Sequence, residues 1–430
     1  MPDMREGQTG EDPLSPGVTG DATGDATPAP RVSGPLWNVE DFYPKPPPQE
    51  GPGWGFMLNN VPSNCSFEQL RSHIAWDRSK HIKLVWRPRS SHMLPPEEVP
   101  ELLHEVRHRD VLYARQQLRL YLLTAALWSG LAVFNFSTSG ARTNTPFIAY
   151  FILPLVLGIL PAIQTGWALY RMRTRAVTWE DALEAAQNIR YQEWLSRRRA
   201  SFTLTLIGAL LLVGLVQLYT SIQNAFEGIF TDRSDEIWSA IDAAGLVKEA
   251  VWEGEVWRLL TGTVLHASIW HFFFNVLVLY AYGKVVEVLV ARAYLPIVFL
   301  FSALAGSLFS LLLVPATSVG SSGGIMGIIG FLGVLGYYNR PNLPPGFLKS
   351  ILGTVALVAL FGLVAFAFVD NAAHAGGLLC GALLGFVLLP HRPAILPVRP
   401  SSFVNGLGVL CALGLLAGVL GSIVAMFTWP

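Results

Sequence analysis

Charge is what this chain of 430 residues has least of: Asp, Glu, Lys and Arg make up 14% of it, against 52% apolar residues and a mean hydropathy of +0.42. A water-soluble fold needs roughly a quarter of its residues charged to cover its surface. The deficit is concentrated downstream, where residues 259–430 hold six Lys or Arg and two acids. That excludes the string of soluble domains which the length alone would suggest, and leaves a polytopic membrane protein. Cysteine is scarce as well. Cys65, Cys380 and Cys411 are too few and too scattered for a disulfide framework or a thiolate metal site, so Cys65 reads as a free thiol and the other two as small apolar side chains. No apolar stretch opens the chain either. The first forty residues are rich in Gly, Pro, Asp, Thr and Ser, without the h-region of a signal peptide, so targeting is expected to fall to the first spanning helix.

What is present divides by composition. Residues 1–55 are Pro/Gly-rich and bury too little to offset the entropy of ordering, so they are expected to be disordered. Residues 56–117 read as a small cytosolic α/β module, with a helix at Phe67–Ile74, a strand at Ile82–Trp86 and a longer helix at Pro96–Gln117. Apolar runs are then measured against the ~20 residues that cross a bilayer. Two accessory spans, 120–137 and 147–170, fill residues 118–170; neighbouring helices can satisfy the carbonyls freed by Pro154 and Pro161. A polar, helical linker follows at 171–200. The remaining runs are 201–221, 266–285, 293–314, 320–338, 348–368, 371–389 and 402–428, nine spans in all. The expected fold class is an all-α polytopic membrane protein with a small soluble module ahead of it.

Basic residues orient the spans. The 171–200 linker carries seven Arg against four acids, and the 222–257 loop eight acids against two basic residues. Lys284 with Arg292, Arg340 with Lys349, and Arg392 with Arg399 fall on the linker's side. The N-terminus and linker are therefore expected in the cytoplasm and the acidic loop outside. The zero formal net charge is a sum of such opposed regions; the bilayer is the expected partner, and nucleic acid is not.

Ionisable residues inside spans are expensive and point to function. They are His266, His271 and His374, joined by the polar Asn275 and Ser322, all toward the outer ends of their helices. Ser322 lies in Gly320-Ser321-Ser322-Gly323 at the start of an apolar helix, where backbone N–H groups and close helix approach suit a hydroxyl nucleophile. A Gly/Ser packing face is the plainer alternative. His374 precedes Gly377, Gly381 and Gly385, and Gly320, Gly323, Gly327 and Gly330 make a matching stripe. Two such faces can bring an imidazole to a hydroxyl as its general base. The plainer alternative for His374 is a capping bond to a loop. His271 and Asn275, at i and i+4, share a helix face and suit an oxyanion hole, or else serve as helix–helix glue. Trp257, Arg258 and Glu287 read as structural, anchoring and snorkelling at the interface. His104-Glu105-Val106-Arg107-His108 matches a zinc pattern, but neither a third ligand nor a dry shell is evident nearby, so no metal or other cofactor is expected.

Five motifs stand in order and spacing across residues 201–389: Glu255-Val256-Trp257-Arg258; His266, His271 and Asn275; Gly283 and Glu287; Gly320 to Gly323 around Ser322; and Ala373-His374 with Gly377 and Gly381. Together they resemble the rhomboid intramembrane serine proteases. The resemblance implies a six-helix core with a Ser–His dyad, Ser322 the nucleophile and His374 the base, cleaving membrane-anchored substrates in or near their spanning segment. It implies an oxyanion hole of His271, Asn275 and the Ser322 N–H, and a membrane-associated loop at 222–257 anchored by Trp257 and Arg258. The helix at 402–428 fits a six-plus-one variant of the family. Met326 departs from the pattern, standing where many members carry an aromatic against the histidine. The resemblance leaves residues 1–200 and the oligomeric state uncovered. The competing readings are a catalytically dead relative that sorts membrane clients, which typically lacks the serine or histidine, and a transporter, which needs polar groups through the midplane. For a bacterial protein the expected site is the plasma (inner) membrane.

Overall fold

A computed structural model describes residues 37, 44–47, 53–139, 154–175, 178–228, 239–366, 369–391 and 396–428. Most of the stretch expected to be disordered, 1–55, lies outside these. Trp37 within it is buried, however, with its ring 5.0 Å from that of Tyr191 and 5.7 Å from that of Trp194.

The N-terminal module is a three-stranded antiparallel sheet in the order β2-β1-β3, with β1 at Trp54–Leu58, β2 at Val61–Cys65 and β3 at Leu84–Trp86. Asn59 and Asn60 join the first two strands, both at positive φ (50° and 65°), which asparagine tolerates and a two-residue hairpin demands. Helix α1, Phe67–Trp76, opens with a reciprocal Ser66–Gln69 capping box. Phe56, Leu70, Ile74, Val85, Leu102 and Val106 form the core.

The expected helix at 96–117 and span at 120–137 turn out to be continuous. Pro96 and Pro100 each start a short 3₁₀ turn, and α2 then runs unbroken from Leu103 to Ser139. With neither Gly nor Pro from 103 to 129, no residue forces a break where the polar half meets the apolar one. The second accessory span, 147–170, is described only from 154: a π turn at Leu155–Ile159, then α3, Leu160–Thr174, with Pro161 in its first turn. Gly158 lies against the Ala125 backbone of α2. The polar linker is α4, Trp179–Ser196, opened by a Thr178–Asp181 capping box. It docks on the module through the Arg190–Glu98 ion pair and Lys83 Nζ, 3.6 Å from Glu193.

Seven helices follow: α5 (Ser201–Gly228), α9 (Ile269–Leu289), α10 (Tyr294–Leu313), α11 (Ser322–Tyr338), α12 (Phe347–Val364), α13 (Asn371–Leu388) and α14 (Ser402–Thr428). Among the described residues, all but α11 are long and apolar enough to cross a membrane. At 17 residues α11 is shorter, and it is the central helix, buried at every position from Gly323 to Leu332. The surrounding helices of the bundle turn Leu357, Leu363, Leu383 and Leu413 outward, the pattern of a fold solvated by lipid. The protein is therefore a multi-pass membrane protein.

Between α5 and α9 the chain makes three short helices, α6 (Ser239–Ala244), α7 (Lys248–Trp252) and α8 (Arg258–Thr261). Arg258 holds them together. It is buried rather than snorkelling: its guanidinium donates to the Asp242 carbonyl at 2.7 Å and the Gly245 carbonyl at 3.0 Å, pairs with Glu255, and lies 4.7 Å over the Trp257 ring. Glu287 is likewise no interface anchor. Its carboxylate accepts from the N–H groups of Phe202 (2.9 Å) and Thr203 (3.0 Å) and from the Ser201 and Thr203 hydroxyls. A side chain of α9 thus caps the N-terminus of α5, where orphan donors and the positive dipole end favour an anion.

Candidate active site

The turn before α11 is built for close approach. Gly320 has φ +135°, a conformation that side chains rarely adopt, and a Cβ there would lie 2.7 Å from Cε1 and 2.9 Å from Nε2 of His271. The His271 ring therefore lies directly on the backbone two residues ahead of Ser322. The Gly320 N–H donates to the Gly262 carbonyl at 2.9 Å, and Ser318 pairs with Leu246 in an isolated antiparallel bridge. Both contacts tie the serine turn to the segment between α5 and α9.

His266 is buried beside it. Its Nε2 lies 3.3 Å from the Ser321 hydroxyl, and its ring stands edge-on to that of His271 at 5.2 Å. Its backbone is bracketed by one residue that the motifs do not flag. The Gln217 amide donates to the His266 carbonyl at 2.7 Å, and its Oε1 accepts from the His266 N–H at 3.2 Å. A lone amide inside the uncharged span 201–221 was the available signal.

Helix α13 carries His374 to the same place. Its glycines face those of α11 without a gap: a Cβ on Gly377 would collide with the Gly323 carbonyl, and one on Gly381 with the Gly327 carbonyl. Gly306 of α10 completes the junction, packed on the Ala373 carbonyl at one side and the Gly323 Cα at the other. The two glycine stripes are thus a backbone-to-backbone seam, with Ser322 and His374 at one end of it. The Nδ1 of His374 is buried with no hydrogen-bond partner, and no hydrogen bond joins the His374 ring to Ser322 Oγ. Catalytic hydrogen bonds often lengthen in the absence of substrate.

Asn275 is buried one turn along α9 from His271, and its amide donates to the His271 carbonyl at 2.9 Å. In this state it braces its own helix. Met326 is buried in the core of α11. The His104–His108 stretch is far away in sequence and differently engaged: Glu105 pairs with Arg71, the His108 ring nitrogen meets the Ala75 carbonyl at 3.0 Å, and the His104 side chain is exposed. Among the described residues no group of three or more His, Cys, Asp or Glu is gathered for a metal.

The site residues fall within a segment, 253–391, that matches a family profile described as the Rhomboid domain. Curated relatives agree. The chain is 37% identical over 133 residues to the rhomboid protease GluP of Bacillus subtilis (strain 168), covering 30% of this chain and 25% of that one. It is 34% identical over 191 residues to RHOMBOID-like protein 4 of Arabidopsis thaliana, 42% of this chain and 48% of the relative. It is 31% identical over 167 residues to the rhomboid protease AarA of Providencia stuartii, 32% and 59%. The chain thus spans between a quarter and three-fifths of the length of these relatives. Over residues 253–391, the stretch that holds these side chains, the chain thus resembles the rhomboid family.

Proposed function

We propose that this chain is an intramembrane serine endopeptidase, acting on membrane-anchored proteins in or near their spanning segments. The observation that carries the reading is the glycine seam between α11 and α13, which closes two helices onto each other at the level of one hydroxyl and one imidazole. Ser322 Oγ attacks the scissile carbonyl while His374 takes its proton; the same imidazolium then protonates the leaving amine, and water releases the acyl group by the reverse route. The negative oxygen of each tetrahedral intermediate is met by the Ser322 N–H at the start of α11, by His271, and by Asn275 once its amide turns from its own helix. In a water-poor site such donors are each worth roughly 2.7–4 kcal/mol to the transition state. The distribution of Lys and Arg supports a cytoplasmic N-terminus, which opens the site toward the outer face.

A client-binding protein without catalysis is the second reading, favoured by the missing Ser322–His374 hydrogen bond. A fluorophosphonate probe separates the two. The enzyme reading requires covalent labelling that Ser322→Ala abolishes and His374→Ala slows by orders of magnitude. Labelling that survives Ser322→Ala, or an unreactive wild type, would leave the client-binding reading standing.

A further inference from the structure

One buried cation is left over by this scheme. Lys248, at the start of α7 in the outer loop, is buried, and its ammonium donates to the Ser310 hydroxyl of α10 at 2.5 Å. Ser310 in turn donates to the Asp370 carboxylate, whose same oxygen accepts from Ser318 at 2.6 Å. The other Asp370 oxygen caps α13, accepting from the Ala373 N–H at 2.8 Å, and the Asp370 carbonyl accepts from the His374 N–H at 3.1 Å. Lys248, Ser310, Ser318 and Asp370 all stand outside the family motifs, and together they run from the outer loop, through α10 and the serine turn, to the backbone that carries His374.

A buried ammonium without compensation is expensive, so such a group persists where a charge partner holds it. Burial, only partly offset by Asp370 and then Glu249, leaves Lys248 lowered to about 8. It remains mostly protonated at neutral pH, and Asp370, a cap for which a neutral Asn would serve, supplies the opposite charge. Beyond residue 258 the chain holds only one other acid, Glu287.

We infer that the Lys248–Ser310–Asp370 relay is a charge clamp that fixes the N-terminus of α13 against the outer loop and the serine turn, making Lys248 and Asp370 positioning residues for His374. The inference rests on the proteolytic reading for its kinetic consequence, and on the geometry alone for its structural one. A general base held about 1 Å out of place loses roughly a hundredfold in rate with little change in substrate affinity.

The test uses the full chain in detergent micelles. Lys248→Met keeps the length of the side chain without its charge, and Lys248→Arg keeps the charge. Lys248→Met should lower kcat, and the fluorophosphonate labelling rate, by about tenfold or more at a KM within about twofold of wild type. Lys248→Arg should recover most of that loss. Amide hydrogen exchange at residues 371–377 should quicken in Lys248→Met by about tenfold and return in Lys248→Arg. Should Lys248→Met not insert, Ser310→Ala breaks the same relay and must show the same pattern. Unchanged exchange at 371–377 overturns the clamp whatever the kinetics do. Slowed turnover that Lys248→Arg does not rescue overturns it also. If the wild-type chain takes no label, the proteolytic reading falls, and hydrogen exchange still decides the clamp.

Discussion

Gly320 shows how much a single residue settles here. Its positive φ and the His271 ring lying on its Cα are two separate demands, and alanine violates both. We expect Gly320→Ala to insert normally but to displace the turn and His271 together, lowering the fluorophosphonate labelling rate by about a hundredfold. Wild-type labelling by that variant would show the contact to be incidental. Position by position, the sequence told most about the residues whose chemistry is rare in a bilayer: Ser322, His374, His271 and His266 converge on one region, as intramembrane polar groups should. It told least about partners made by backbone. Gln217 reaching the His266 peptide, and Asn275 turning back on the His271 carbonyl, answer to no side-chain pattern. Arg258 was legible as structural, yet its role inside the loop depends on two carbonyls that no motif records.

Helices meet in this protein by two different physics. Along α11 and α13 the apolar surroundings offer no hydrophobic drive, so contact depends on glycines that let peptide planes touch; the four-residue stripes made that seam legible in advance. At the start of α5 the contact is polar, and it was not legible. Glu287 is one carboxylate meeting four donors at the start of α5, a relation between residues more than eighty positions apart. Hydrogen bonds to a charged group contribute about 1.5–3 kcal/mol each at most, with losses less than additive. Glu287→Ala is therefore expected to destabilise the fold by about 2–4 kcal/mol, measured as a lower thermal midpoint in detergent. A midpoint equal to wild type would mean that water caps α5 as well as Glu287 does. The same scale explains the merged α2. Hydropathy divides 96–117 from 120–137, but helices end at breakers, and none stands between them.

At the scale of the whole molecule, low charge and long apolar runs pointed to the class, and five spaced motifs to the family that residues 253–391 resemble. The N-terminal module was visible only in outline, because its β1–β2 hairpin turns on Asn59-Asn60 and its strands are short. Its docking on α4 through Glu98, Lys83 and the Trp37 socket joins segments that composition assigned to separate regions. The proposed chemistry sits at the Ser322 end of the glycine seam, and proteolysis itself probes it. The full chain is reconstituted in liposomes with single-span membrane proteins as substrates, and cleavage is followed for wild type, Ser322→Ala, His374→Ala and the double variant. Wild type is expected to cleave, with each single variant slower by several orders of magnitude and the double variant little worse than either, since the pair acts as a unit. Turnover by Ser322→Ala at the wild-type rate would contradict that chemistry.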